Sequence, residues 1–313
     1  MPIDVRRLRL LREVAHRGTI AAAADALAYT PSAVSQQLST LEREVGSALL
    51  ERTGRGVRLT EEGWMLVRHG DNVFAELERA EAALELSRKA VGGRLRVAAF
   101  SSVTTAVLAP TVTRLALRHP GLQVIIAESD LPDALRDLRL GELDVVVGHE
   151  YDHLRAAPEP ELHRRELFAE EMFVAAPVGR LAPGRPVALR ELAGEPWAIA
   201  GLRTDCGRAV LEACRAAGFE PNVRFEFTEF GVTLRLVAAG LAVALLPELA
   251  FSELEDGYEI HAVVDGGFRR RIFTATRIGN RDRPAVVAFL DALDEATQAF
   301  TARDEWPRVG AAR

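Results

Sequence analysis

Gly18-Thr19-Ile20-Ala21-Ala22-Ala23-Ala24-Asp25-Ala26-Leu27, then Thr30-Pro31-Ser32-Ala33-Val34-Ser35-Gln36-Gln37-Leu38, is the stretch whose reading decides the fold. Gly18 stops one helix and Thr19 caps the next. Ala23, Ala24 and Leu27 make a short apolar stripe, and the small alanines let a second helix cross closely. Thr30-Pro31 restarts a helix, with Thr as N-cap and Pro in its first turn. This helix runs through Leu38 and Leu41 to about Val45, and Gly46 ends it. Upstream, Leu8, Leu11 and Ala15 share one face of a first helix, with Leu10 and Val14 beside them. Three short helices joined by tight turns read as a helix-turn-helix.

Downstream, Leu49-Leu50-Glu51-Arg52-Thr53-Gly54-Arg55-Gly56-Val57-Arg58-Leu59 places two strand-like pieces around a Gly-rich turn, which reads as a β-wing carrying Arg52 and Arg55. Thr60-Glu61-Glu62 caps a long helix predicted to reach Val91, where Gly92-Gly93 breaks it. Its 31 residues would span about 45 Å. Leu66, Val73 and Ala80 fill one position of a seven-residue repeat, and Leu77, Leu84 and Val91 the other, with Gly70 and Ser87 as flaws. That seam predicts pairing with a second copy. The alternative is a helix lying on its own domain.

From Arg94 the period changes to strand-helix alternation, which predicts doubly wound α/β units. Strands are expected at Leu95–Ala99, Leu122–Ala127 and Leu143–Val147, with helices at Val103–Arg118 and Leu131–Leu140. A second set follows: strands at Leu167–Ala176, Trp197–Ala200, Val223–Phe227, Leu241–Leu246 and Tyr258–Val264, with helices at Cys206–Ala217 and Phe230–Ala239. A last strand, Arg271–Arg277, and a last helix, Pro284–Ala302, return to the first lobe. Two lobes with two crossing strands make a hinged clamshell, and ligands in such folds sit beyond the C-terminal strand ends.

The chain has 313 residues, 48% hydrophobic and 27% charged, a balance that excludes disordered, collagenous and disulfide-stapled classes. The net charge of −6 divides unevenly. Residues 1–60 hold nine Arg against six acids, a net +3, and the other 253 residues hold 30 basic against 39 acidic, a net −9. A basic head on an acidic body fits nucleic acid at one end only. The longest nearly unbroken apolar run, Leu236–Leu246, is half of what a membrane span of about 20 residues needs. With no signal peptide read at the N-terminus and two cysteines in all, the expected compartment is the cytoplasm. A single lysine, Lys89, beside 38 arginines suggests a G+C-rich genome.

The residues quoted from Gly18 to Leu38, with Leu41-Glu42, Leu49 to Arg55 and Leu59-Thr60-Glu61-Glu62-Gly63, resemble the LysR-type bacterial transcription regulators. The α/β part is similar to that family's effector domain in element order. The resemblance implies an α+β multidomain chain: a winged helix-turn-helix (1–59), a linker and dimerisation helix (60–93) and an effector-binding domain (94–313). The last would comprise two doubly wound, periplasmic-binding-protein-like lobes, lobe I at 94–161 and 266–313 and lobe II at 162–265. It implies a non-enzymatic regulator, without cofactor, that binds promoter DNA and a small effector, anionic by the chemistry below. It also implies a homodimer through Leu66, Val73, Leu77, Ala80 and Leu84, assembling further into a homotetramer. One departure stands out: the family commonly shows Ser-Gln-Pro where this chain has Thr30-Pro31-Ser32, which bears on the operator sequence rather than on DNA binding.

The candidate DNA contacts are Thr30, Pro31, Ser32, Ser35, Gln36 and Gln37 of the recognition helix and Arg52 and Arg55 of the wing. Gln reads adenine by paired hydrogen bonds and Ser reads either base, whereas Thr30 and the first helical N–H groups suit a phosphate. The bland alternative is a solvated polar face. The candidate effector contacts are Ser101, Ser102 and Thr104, Gly148 and His149, Gly201, Arg203 and Thr204, and Phe230 and Val232. Hydroxyls and N–H groups at a helix N-terminus suit a carboxylate; for Ser101 the competing reading is simple helix capping.

Two further motifs carry alternatives. His149-Glu150-Tyr151-Asp152-His153 matches a zinc-hydrolase pattern that requires both histidines on one helix face. Here it follows a strand, so no metal site is assigned. Cys206 and Cys214 lie about 12 Å apart on one helix, too far for a disulfide. Cys206, between Arg203 and Arg208 at a helix N-terminus, is expected to have a lowered thiol pKa, which would suit a redox-responsive regulator; the bland reading, two partly buried cysteines, is the one favoured. A cytoplasmic solute-binding module is the remaining reading from another class.

Overall fold

The computed structural model describes residues 3–54, 56–87, 91–152, 159, 161–251, 256–264 and 268–302. The head consists of α1 (Val5–Arg17), α2 (Ile20–Ala26) and α3 (Pro31–Val45). Asp4, Thr19 and Thr30 cap the three helices through side-chain oxygens that accept from the backbone N–H groups of Arg6, Ala22 and Ala33. Gly18 and Gly46 terminate α1 and α3 with φ of 77° and 74°, a conformation that a side chain would oppose. Ala23 and Ala24 are buried where α2 crosses α3, in a core with Leu11, Val14, Val34, Leu38 and Leu41. A wing follows, β1 (Leu50–Thr53) and β2 (Gly56–Leu59), antiparallel with Leu50 opposite Leu59. One carboxylate ties the wing to the recognition helix: Glu42 Oε1 accepts from the N–H groups of Leu49 (2.9 Å) and Leu50 (3.1 Å).

The linker helix α4 (Glu61–Leu86) has 26 residues, with Thr60 as its cap. It is shorter than the expected run to Val91: Val91 lies outside it and packs against the core of the first lobe. Strand pairing starts at Gly93, whose N–H donates to Gly121 O (3.0 Å), and this draws the chain into the sheet early.

The body follows as β3 (Gly93–Ala99), α5 (Ser101–Val103), a π-helical turn (Thr104–Leu108), α6 (Ala109–Arg118), β4 (Leu122–Glu128), α7 (Leu131–Leu140), β5 (Val145–Tyr151) and β6 (Leu162–Pro177). Then come β7 (Pro196–Ile199), α8 (Asp205–Ala216), β8 (Asn222–Glu226), α9 (Phe230–Ala238), β9 (Ala244–Pro247), β10 (Tyr258–Ala262), β11 (Arg269–Arg277) and α10 (Pro284–Thr301). The single helix expected over 103–118 is interrupted by the π turn, because Pro110 has no N–H to give Ala106 and the widened turn accommodates it.

The main sheet has the order β10-β6-β11-β5-β3-β4, with β9 also on β6. It is mixed: β3 is parallel to β4 and β5, whereas β11 is antiparallel to both β5 and β6. β6 is the long crossing strand. Its first part pairs with β11, and its end, from Met172 or Phe173 on, pairs with β9 and β10. Val97, Val107, Val147, Ile272 and Phe289 pack in the core of the first lobe, and Val174, Trp197, Val210 and Leu245 in that of the second.

Head and linker dock on the first lobe. Arg277, at the end of β11, donates to Glu78 of α4 and to the carbonyls of Leu138 and Leu143. Arg283 bonds both Glu85 (2.9 Å) and the buried Asp144 (3.3 Å). Gly279 lies so close to α4 that a Cβ there would sit 2.7 Å from Ala75 Cα. Arg17 bonds Glu142, and His16 is pushed down to about 4 by burial and by Arg139 and Arg12.

Candidate functional site

A cavity of about 350 Å³ opens between the lobes, where the chain leaves β3, β4 and β7. From the first lobe it takes Phe100, Ser101 and Ser102 at the start of α5, Glu128 to Asp130 before α7, and Gly148 and His149 from β5. From the second it takes Arg203, Thr204 and Cys206 around the start of α8, and Phe230 at the start of α9. Several helix N-termini therefore face one space, an arrangement that favours negative charge. Neither α5 nor α7 receives a side-chain cap; Phe100, at the N-cap of α5, has no side-chain oxygen to offer.

Seven of the ten effector positions read from the sequence line this cavity: Ser101, Ser102, Gly148, His149, Arg203, Thr204 and Phe230. Thr104, Gly201 and Val232 do not. The Thr104 hydroxyl is turned back into its own helix and donates to Phe100 O (3.0 Å). The Gly201 carbonyl accepts from both the Thr204 N–H and hydroxyl (2.8 Å each), so it closes the turn behind the wall. Val232 follows Phe230 by two residues, which at 100° per residue places it round the far side of α9. Thr204 itself caps α8, accepting from Gly207 N (3.0 Å). A Cβ at Gly148 would lie 2.7 Å from Leu131 Cδ1 and from Phe273 Cζ, so a larger residue there has to displace both side chains.

Sequence reading missed the residue at the centre of the floor. Arg270 of β11 is 1% exposed, lines the cavity and stands directly opposite Glu170 of β6. Its Nε donates to Glu170 Oε1 (2.6 Å) and its Nη2 to Ser102 Oγ (3.3 Å). The rings of Phe100 and Phe230 lie 4.9 Å and 6.0 Å from the guanidinium carbon. Glu170 Oε2 accepts from Leu249 N (2.7 Å), so the carboxylate is held from both sides. One side chain thus touches the first lobe, the second lobe and the crossing strand between them. The available signal was the triplet Arg269-Arg270-Arg271: strand alternation turns the middle one inward, while Arg269 and Arg271 pair outside with Glu171 and Glu166. Glu128 and Asp130 on the rim were also missed.

Burial governs the titratable groups. His149 is pushed down to about 3 by burial and by Arg270, so its ring is neutral; it stacks edge-on with Phe100 and Tyr151, and its Nδ1 is buried without a partner. The Glu170 carboxyl is raised by burial, with Arg270 opposing. Glu248, half-buried near Glu170 and Glu171, is pushed up to about 7, mainly by burial. The Cys206 thiol is raised, not lowered as its arginine neighbours suggested, because burial of the side chain outweighs the lowering effects of its hydrogen bond with Tyr151 and of Arg270. Cys214 is buried and pushed up to about 12, and both cysteines are free thiols.

The zinc-like motif does not form its site. His149 to Tyr151 belong to strand β5, and His153 lies outside the described residues. Among the described residues no group of three or more His, Cys, Asp or Glu is placed to hold a metal. No described helix is long and apolar enough to cross a membrane.

On the head, Pro31, Ser32, Ser35 and Gln36 are exposed along the first turns of α3. Thr30 is occupied as the cap and bonds Ser32 Oγ (3.0 Å). Gln37 is held inward, accepting from Arg7 Nε (3.0 Å), and is not displayed as expected. Arg52 lies on β1, and Arg55 lies outside the described residues. On α4, Val73, Leu77, Ala80 and Leu84 form an exposed stripe, but Leu66 packs on the core of its own head.

Comparison with known proteins places these sites in context. The profile of the bacterial regulatory helix-turn-helix protein, lysR family, matches residues 5–64, and that of the LysR substrate binding domain matches residues 88–298. The probable HTH-type transcriptional regulator LrrA of Synechococcus elongatus is 28% identical over 93% of this chain and 96% of its own. A variant of full-length OxyR from Pseudomonas aeruginosa shares the fold with a TM-score of 0.63 at 22% identity, covering 95% of this chain and 98% of that one. CbnR, solved in complex with its target DNA, shares it with a TM-score of 0.54 at 21% identity, covering 94% and 99%.

Proposed function

The chain belongs to the LysR family of bacterial transcription regulators, and from that membership we propose that it binds a promoter through α3 and the wing and responds to a small anionic effector held between its lobes. The observation that carries the effector reading is the start of α5: Ser101 and Ser102 line the cavity, no side chain caps the helix there, and Arg270 donates to Ser102 Oγ. A carboxylate there receives backbone and hydroxyl hydrogen bonds at the positive end of a helix. Ser32, Ser35 and Gln36 are the base-reading candidates, and Arg52 and Arg55 contact the backbone or a narrow minor groove.

The exposed stripe Val73, Leu77, Ala80 and Leu84 pairs two linker helices, and two dimers make the tetramer. Effector binding acts by favouring one arrangement of lobes over another, so the ligand must bind the two arrangements with different affinity.

Selection of duplexes from a random library with the full-length protein, followed by a salt titration on the enriched sequence, tests the DNA half. Arg55→Ala is expected to weaken binding to all duplexes and to reduce the slope of log K against log salt by about 0.9. An unchanged slope, or no enriched sequence, overturns this reading. Thermal stability against a panel of carboxylic acids, amino acids and sugars tests the effector half; a ligand at 100 times its Kd adds about 2.7 kcal/mol.

A further inference from the structure

The head holds one aromatic residue and does not bury it. Tyr29 is the only Phe, Trp or Tyr in residues 1–60. It is 50% exposed and is not among the aliphatic side chains that make the head core. A ring left outside such a core adds little to its stability. Its place is nevertheless fixed. Ala28, just before it, has φ of 55°, a conformation that residues with a Cβ seldom take. The Ala28 N–H donates to Asp25 O (3.1 Å) and the Tyr29 N–H to Ala24 O (2.8 Å). Thr30 follows as the cap of α3. The turn thus holds Tyr29 directly beside the first turn of the recognition helix.

The hydroxyls at that end are spent on each other and on the backbone. Thr30 Oγ1 accepts from Ala33 N (3.2 Å) and is bonded to Ser32 Oγ (3.0 Å). Pro31, exposed in the first turn, has no N–H and no polar side-chain atom. The entry to α3 therefore displays a ring and a pyrrolidine, and the exposed Ser35 and Gln36 continue the face one turn later. The patch is continuous with that polar face and belongs to the basic part of the chain, so its occupant is the duplex.

Base edges differ in what they offer such a surface. In the major groove only thymine carries an apolar group, its C5 methyl; the other edges present donors and acceptors that an apolar side chain leaves unanswered. A phosphate contact would use the Tyr29 hydroxyl alone and carry no sequence information.

Resting on the reading of α3 as the recognition helix, we propose that Tyr29 and Pro31 are specificity-determining residues that together seat the methyl group of one thymine in each half-site, beside the bases met by Ser35 and Gln36.

Deoxyuridine tests this, because it pairs as thymidine does and lacks only the C5 methyl. The full-length protein selects duplexes from a random library, and each thymine in one half-site of the enriched duplex is then replaced singly. One replacement should weaken binding about fourfold, the value of one methyl group removed from water. Tyr29→Phe keeps the ring and should keep that ratio. The double variant Tyr29→Ala, Pro31→Ala should bring the ratio to one; each single variant should lower it partway, and these serve where the double variant binds too weakly to measure. Both side chains lie outside the head core and alanine suits the first turn of a helix, so the variants keep their fold. An enriched half-site in which no thymine methyl matters, a ratio that survives in the alanine variants, or a ratio already lost in Tyr29→Phe overturns the proposal while leaving α3 as the recognition helix. A library from which no duplex is enriched overturns both.

Discussion

Replacing Arg270 with methionine leaves Glu170, 2% exposed, as a buried carboxylate with one remaining bond, from Leu249 N. Breaking a buried ion pair from one side costs about 3–5 kcal/mol, because the remaining charge is uncompensated. At about 2–4 °C per kcal/mol for a body of this size, the melting temperature should fall by about 10 °C. The companion variant Arg270→Met, Glu170→Gln removes the stranded charge yet keeps a carbonyl oxygen for Leu249 N. It should recover about 2 kcal/mol of the loss. The pH dependence has a definite sign. Burial already raises the Glu170 carboxyl, and Arg270 opposes that rise. Without Arg270 the carboxyl climbs further, so it is protonated more easily in the folded state. A raised group of this kind contributes stability in acid that is lost as pH rises through its folded value. The single variant should therefore be closer to wild type at pH 5 than at pH 8. Thermal denaturation by circular dichroism at the two pH values gives the answer. A loss under about 1 kcal/mol at pH 8, a loss independent of pH, or a double variant no better than the single would refute this reasoning.

Three other expectations follow from the geometry. Glu248 is held up to about 7, so the stability of its protonated form is present below the ordinary carboxyl range and fades as pH rises through that value. Glu248→Gln should flatten this loss between pH 6 and 8, by about 1 kcal/mol once the solvent reaching the group is allowed for; an unchanged pH profile in denaturation curves speaks against it. Gly279→Ala forces a Cβ against the Ala75 backbone and should cost about 1–3 kcal/mol, read as faster amide exchange across Phe74–Ala82 of α4 with none in α6. Leu77→Glu should halve the particle mass in sedimentation, since it places a charge in the exposed stripe of α4; an unchanged mass removes the helix from the interface.

The head was legible because its signals are local. Thr19, Thr30-Pro31, Gly18 and Gly46 act within one turn of where they stand, and each is found at the helix end it marks. The alternation of strand and helix in the body was legible for the same reason. Arg270 was not, because its partner Glu170 lies 100 residues away and only the register of β6 on β11 brings the two together. The Cys206 thiol shows another limit: charged neighbours can be read from a sequence, but the burial that outweighs them depends on how Tyr151 and α8 pack. Gln37 is a third case, its carbonyl taken by Arg7 from a helix thirty residues earlier.

β11 runs from the cleft, at Arg270, to the linker helix, at Arg277. The seven steps between them span about 23 Å. β3 covers the same distance beside β5, from Gly93 near the end of the linker to the start of α5. The two ends of the first lobe are thus joined by taut, hydrogen-bonded ribs that do not shorten. Between Arg270 and the Arg277 contact with Glu78 the path runs along one strand paired on both sides, with no loop in it. In such a frame a change of the cleft and a change of the linker are joined through the placement of the whole first lobe, not through a flexible segment of it.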